Sequence, residues 1–167
     1  MEIERKWLID VNRIPYDLSK YESWEIEQAY ISFNPTIRIR KISNLNSFVL
    51  TMKSPSKDKG LSREEYEMSI TNDQYINLLN KIEGIVLKKT RYRIPYENKL
   101  IELDLFHDCY EGLGYIEIEF KTKEEAKAFI KPEWVLKELT SDSRYSNAAL
   151  ANKINLVYEE KTIWKKD

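Results

Sequence analysis

The chain has one cysteine, Cys109, and one histidine, His107. A lone thiol excludes a disulfide within the chain, and the two residues are too few for a Cys/His zinc site. A Ser-His-Asp triad would rest wholly on His107, so nucleophilic hydrolysis of that kind is not expected. Both residues fall in an expected loop and read as bystanders. Long apolar runs are missing as well: no stretch approaches the ~20 residues that carry a helix across a bilayer. No secretory leader precedes Glu2, so the expected address is cytoplasmic, without membrane contact. Charge of one sign is also lacking. Lys and Arg total 27 against 28 Asp and Glu, a net charge of −1, which argues against a basic face built for nucleic acid.

Charge as such is abundant. Charged residues make up 33% and hydrophobic ones 42% of 167 residues, which fits a globular chain with a core and interleaved charges of both signs. The expected organisation is one domain over residues 1–157 and a charged tail over 158–167. Strands are expected over 2–10, 25–33, 36–42, 47–53 and 61–70, and around 89–94, 101–105 and 116–120. Thr71 opens an expected helix through Tyr75, Leu78, Leu79 and Ile82 that stops at Gly84. Thr122 with Glu125 forms a capping-box pattern for a helix reaching Ile130. A short helix is expected over 134–139 and a last one over 146–156.

The strands carry the main signal. Side chains alternate between the faces of a strand, and here ionisable residues keep to one parity. Glu2, Glu4 and Lys6 oppose Ile3 and Trp7, and Arg38 and Arg40 oppose Ile37 and Ile39. Thr51 and Lys53 oppose Phe48, Leu50 and Met52, while Arg63, Glu65 and Glu67 oppose Tyr66, Met68 and Ile70. Lys89, Arg91 and Arg93 alternate with Thr90, Tyr92 and Ile94. Glu102 and Asp104 alternate with Ile101, Leu103 and Leu105, and Glu117 and Glu119 with Ile116, Ile118 and Phe120. An ordinary sandwich would turn these charges to water. Two features favour the opposite. The charges sort by strand, acidic on the first and last and basic on the third and sixth, and the helices need an apolar surface to cover. The expected fold is α+β, mainly β: a closed eight-stranded antiparallel β-barrel, a tunnel with a charged interior and helices packed outside. Tyr66, Tyr92 and Trp7 then read as packing residues under the helices.

A barrel of eight strands can hold one small ligand. Charges facing inward must neutralise one another, hold water or bind ions. Clustered carboxylates suit hard cations such as Mg²⁺ or Mn²⁺. Clustered Arg and Lys suit phosphate oxygens. A polyphosphate carrying one or two metals satisfies both sets.

The spacing Glu2-x-Glu4-x-Lys6 resembles the ExExK signature of the CYTH superfamily, the triphosphate tunnel metalloenzymes. Arg38-Ile39-Arg40 resembles the family's RxR strand, Thr51-Met52-Lys53 its TxK strand, and Lys89-Thr90-Arg91 its KxR strand. The segment from Leu61 to Glu67 and the acidic strands around Glu102-Leu103-Asp104 and Glu117-Ile118-Glu119 match in order. Arg144-Tyr145-Ser146-Asn147 is similar to the C-terminal signature of short bacterial members. The resemblance implies metal-dependent hydrolysis of a small-molecule triphosphate, foremost inorganic tripolyphosphate, with Mg²⁺ or Mn²⁺ as cofactor and a homodimer as the assembly to look for. It implies Glu4, Lys6, Lys53, Glu65 and Arg91 as catalytic residues. Substrate would be held by Lys6, Arg38, Arg40, Lys53, Arg63, Lys89, Arg91 and Arg144, and metal by Glu2, Glu4, Glu117, Glu119 and Asp104. Glu65, Glu67 and Asp104 could equally serve a second metal, position water or fix the basic residues. A class IV adenylate cyclase, a thiamine or nucleoside triphosphatase and a non-catalytic polyphosphate-binding module are the alternatives.

Overall fold

A computed structural model describes residues 1–152. The charged tail expected over 158–167 and the end of the last expected helix lie outside the described residues. Among the described residues nine strands form one antiparallel sheet: β1 (Glu2–Leu8), β2 (Glu22–Ser32), β3 (Thr36–Ile42), β4 (Ser47–Lys53), β5 (Ser62–Arg63), β6 (Glu65–Ser69), β7 (Glu83–Tyr96), β8 (Lys99–Phe106) and β9 (Gly114–Glu119). Their order is β5-β1-β9-β8-β7-β2-β3-β4-β6. The expected eighth count becomes nine because the strand over 61–70 breaks at Glu64. The Glu64 carbonyl accepts from the Ser54 N–H, and the Glu64 N–H donates to Ser54 Oγ, so this residue leaves the ladder. On one side of the break Arg63 pairs with Glu2 of β1; on the other Glu65 pairs with Lys53 of β4. One short segment thus supplies both sheet edges and brings the barrel close to closure.

Residues directly opposite on neighbouring strands share a face, and the register links the charged parity around the barrel. Lys6 faces Glu117, Glu117 faces Glu102, Arg93 faces Glu102, and Arg91 faces Asp104. Trp24 faces Arg91, Gln28 faces Arg40, Arg38 faces Thr51, and Thr51 faces Glu67. The other parity is apolar and packs outward. Ile3, Trp7, Ile101, Ile116 and Ile118 lie buried beneath α2 (Lys123–Ala128) and the chain that follows, through Ala126, Phe129 and Val135. Ala29, Ile39 and Phe48 lie beneath α1 (Asn72–Leu79), which covers them with Tyr75. Both helices begin where the caps are: Thr71 and Gln74 form a reciprocal capping box, and Thr122 accepts from the Glu125 N–H. Tyr66 departs from the expected packing under a helix; it is 70% exposed, and Met68 on the same face is 60% exposed, since neither helix reaches the outer face of β6.

The expected helix over 134–139 is instead extended and runs beside β1. Leu136 N–H donates to the Leu8 carbonyl, Leu8 N–H to Lys137, and Leu139 N–H to Lys6. Beyond Ile3, that edge of β1 meets no other strand among the described residues, so the pairing supplies partners for its backbone groups.

Inside the barrel the polar lining gives way to an apolar plug. On five strands the next inward residue changes character: Lys6 to Leu8, Gln28 to Tyr30, Lys89 to Leu87, Asp104 to Phe106, and Glu117 to Tyr115. Leu139, Tyr145 and Leu150 complete this cluster, and α3 (Asn147–Ala151) seals it, with the Tyr110 hydroxyl donating to the Leu150 carbonyl at 2.6 Å. Leu150→Ala should cost about 2–5 kcal/mol of stability by leaving a cavity in this plug. Chemical denaturation against the wild type measures it.

Candidate functional site

Two cavities of ≈ 450 and ≈ 350 Å³ occupy the barrel interior and share Glu4, Arg38, Lys53 and Asn147 in their walls. Each functional side chain is placed by strand parity, and its state is set by its neighbours.

The fixed point is Asp104, which is fully buried. Its Oδ1 accepts from Arg91 Nε at 2.7 Å, and its Oδ2 accepts from Arg91 at 2.9 Å and from Lys89 Nζ at 2.8 Å. Burial alone would raise this carboxyl, but Arg91 and Lys89 outweigh it and hold Asp104 below its ordinary value. Arg91 also donates to Glu102 at 2.9 Å and lies 3.6 Å from Glu117. Burial works against its charge, yet Asp104 and Glu102 hold it firmly cationic. Asp104 therefore sits behind the wall, bonded to two cations, and neither cavity touches it. This differs from the metal-ligand position expected from sequence, because the carboxylate oxygens are already committed to Arg91 and Lys89. Lys89 is likewise behind the wall. Its side chain has 0% exposure, and it donates to Asp104 and to Asn147 Oδ1, while burial pushes its pKa down to about 8.

Arg38 and Arg40 form the anion-seeking part of the lining. Arg38 is buried, donates to Thr51 at 3.2 Å and lies 3.9 Å from Glu65; its Nε has no partner among the described residues. Arg40 makes no ion pair among the described residues and donates only to Gln28 Oε1, at 3.3 and 3.2 Å. Burial, then Arg38 and Arg91, press its pKa down. A guanidinium stays charged at neutral pH, so an anion placed here relieves both desolvation and mutual repulsion.

The carboxylates show the complementary need. Glu2 pairs with Lys53 at 2.9 Å and Glu117 with Lys6 at 3.5 Å. Burial favours the neutral form of Glu117, but Lys6, Arg91 and Lys89 hold it far below the usual carboxylate range. Glu4 has no ion pair among the described residues, and burial, Glu117 and Glu2 raise its pKa to about 8. Glu119, its cross-strand partner, is raised by burial and by Glu2 and Glu102. Hard oxygen donors short of positive charge fit a divalent cation such as Mg²⁺ or Mn²⁺. Among the described residues no three acidic, His or Cys side chains are grouped to hold an ion by themselves.

Of the other sequence-derived residues, Glu65, Glu67 and Glu102 line the smaller cavity, and Lys6 and Arg63 the larger. Arg93 lies outside both, 3.2 Å from Glu22 and stacked 4.6 Å over Trp24. Arg144 is held by Asp142 at 2.8 Å and lies 5.8 Å over Tyr145; Asp142, rather than Arg144, lines the larger cavity. Sequence reasoning missed Gln28 and Trp24 on the inner parity of β2: Trp24 precedes the strand expected over 25–33, and within that span this face, with Ile26, Gln28 and Tyr30, carries no Asp, Glu, Lys or Arg. It also assigned no role to Asn147, Thr140, Lys59 and Gly60, which come from segments without strand periodicity.

A nearly closed antiparallel barrel with paired charges inside and helices outside defines a tunnel fold with a charged interior. Residues 1–154 match the CYTH domain, and the chain belongs to that family. It is 36% identical to an inorganic triphosphatase of Nitrosomonas europaea over 90% of this chain and 96% of that protein. It is 34% identical to an inorganic triphosphatase of Acetivibrio thermocellus, over 89% of this chain and 92% of that protein. A crystal structure of an inorganic triphosphatase aligns with a TM-score of 0.67 at 32% identity, covering 92% of this chain and 96% of that one.

The raised Glu4 pKa has a consequence for the metal-free protein. Between pH 4.5 and about 8 the folded chain keeps a proton that the unfolded chain has released. Glu4 therefore contributes stability at the acid end of that window, and the contribution is lost as pH rises through it. The stability of the wild type relative to Glu4→Gln should fall across this range, as read from paired melting curves at each pH.

Proposed function

We propose that the chain is a divalent-metal-dependent triphosphatase that cleaves inorganic tripolyphosphate to pyrophosphate and orthophosphate within the barrel. The observation that carries this reading is the pairing of opposite deficits in one interior: among the described residues, Arg40 has no carboxylate partner and Glu4 pairs with no cation. A polyphosphate with its metal supplies both. The naming of its relatives as inorganic triphosphatases supports the choice of substrate.

Phosphoryl transfer demands neutralisation of the transferred group and an in-line nucleophile, with little covalent work for the protein. Arg38, Arg40, Lys53 and Arg91 would hold the phosphoryl oxygens, with Lys6 and Arg63 beside them. Lys89 and Asp104 would act through Arg91, keeping its guanidinium fixed so that it need not reorganise as charge shifts to the leaving pyrophosphate. Glu2, Glu4, Glu117 and Glu119 would hold the metal. Bound there, the cation would neutralise phosphate oxygens and acidify a coordinated water. Glu65, beside Lys53, would orient the attacking water.

Incubation with tripolyphosphate, ATP and thiamine triphosphate, each with Mg²⁺ or Mn²⁺, tests the reading. Metal-dependent orthophosphate release should be fastest from tripolyphosphate. Cyclic AMP from ATP would make the chain a cyclase, and tight binding with no product would make it a sensor. Glu4→Gln should abolish metal-dependent release while preserving the circular dichroism spectrum. Arg40→Ala should weaken tripolyphosphate binding roughly 10- to 100-fold, the loss of charged hydrogen bonds worth about 1.5–3 kcal/mol, as measured by titration calorimetry.

A further inference from the structure

The two cavities differ in the charge they add to their shared waist. Beyond Glu4, Arg38 and Lys53, the larger adds the cations Lys6, Lys59 and Arg63 and a single acid, Asp142. The smaller adds Arg40 and Arg91 but is rimmed by carboxylates, of which Glu67 and Glu119 are exposed. Asp142 is itself neutralised by Arg144 at 2.8 Å and Lys137 at 3.8 Å. Lys59 and Arg63 make no ion pair among the described residues; both line the larger cavity, and Lys59 is exposed.

Lys59 lies outside the strand register and is held at this opening by its loop. Asp58 accepts from the Ser62 N–H at 2.8 Å, from the Ser62 hydroxyl at 2.7 Å and from Ser56, and it pairs with Lys123 at 3.0 Å. These bonds hold Asp58 below its ordinary pKa and tie the loop to α2. Lys59 has a left-handed backbone (φ 56°), and Gly60 follows at φ 90°. Gly60 packs so tightly on the 140–141 backbone that a Cβ there would come 2.3 Å from the Thr140 carbonyl oxygen. The loop is thus fastened to the segment across the mouth, and Lys59 is presented at a fixed place.

We propose that a polyphosphate enters the barrel through the mouth framed by Lys59 and Arg63, and that the carboxylate-rimmed mouth turns it away. Charges at a cleft mouth steer a charged ligand and raise its association rate, and salt screens the effect. The idea rests on the triphosphate reading above, with Lys59 acting on encounter rather than on the reaction.

The test is stopped-flow tryptophan fluorescence, with Trp24 in the wall as reporter, of tripolyphosphate mixed with metal-free protein at ionic strengths from about 0.02 to about 0.2 M. Lys59→Glu should slow association about 10-fold at low salt and flatten its salt dependence. Lys59→Met, which keeps the loop free of a new charge, should fall between it and the wild type. Glu67→Lys at the other mouth should change the rate less than about twofold. Association that responds to Glu67→Lys as strongly as to Lys59→Glu, or to neither, overturns the proposal. Because binding is read without turnover, steered association with no hydrolysis leaves the port standing and removes only the triphosphatase reading.

Discussion

Asp104, with Arg91 and Lys89 bonded to it, is the constraint on which the interior depends. A carboxylate in a fully enclosed position is tolerable only if its oxygens are hydrogen-bonded and its charge is met. Here a bidentate guanidinium and an ammonium do both. The geometry then passes outward. Arg91 is held against Glu102 and near Glu117, Glu117 is held near Lys6, and Lys89 reaches Asn147 at the start of α3. Removing one member would leave the others charged and unpaired in a low-dielectric interior, which is why such a network acts as a unit.

Turning charge inward forces the rest of the architecture. The apolar parity of each strand faces outward and would be exposed in a bare barrel, so the helices and the 129–139 segment serve as an outer coat rather than as decoration. The interior cannot be polar throughout either. Where α3 packs, the lining becomes Leu8, Tyr30, Leu87, Phe106 and Tyr115, and this plug anchors the end of the barrel against which the charged layers are set. The polar part retains an imbalance: Asp104, Arg91 and Glu117 have their charges met, whereas Glu4 and Arg40 make no ion pair among the described residues.

Much of the site was legible because strand parity is a local property. Glu4, Arg38, Lys53 and Glu117 could be assigned to one face from alternation alone, and the register joins those faces into one wall. Alternation says nothing of depth. Asp104 and Glu102 share a parity on β8, yet one is enclosed and the other lines a cavity. Lys89 and Arg91 on β7 divide in the same way. Arg144 and Lys59 lie in turns whose direction depends on contacts with Asp142 and Asp58 that no periodicity encodes. The helix expected over 134–139 failed for a related reason: its backbone found partners on β1, and that opportunity exists only once the sheet has formed.

The amino-acid sequence by itself determined the strands, their two chemically distinct faces, the helix starts at Thr71 and Thr122, and the gathering of carboxylates, arginines and lysines on one face. These follow from periods of a few residues and from side-chain chemistry. Tertiary structure decided which of those charges meet each other and which remain unmet. It also decided where the strand over 61–70 breaks to close the barrel, and that one mouth is basic and the other acidic. Such outcomes depend on pairing between residues far apart in the chain, where a carboxylate's neighbours, and hence its charge state, exist only after the barrel has brought them together.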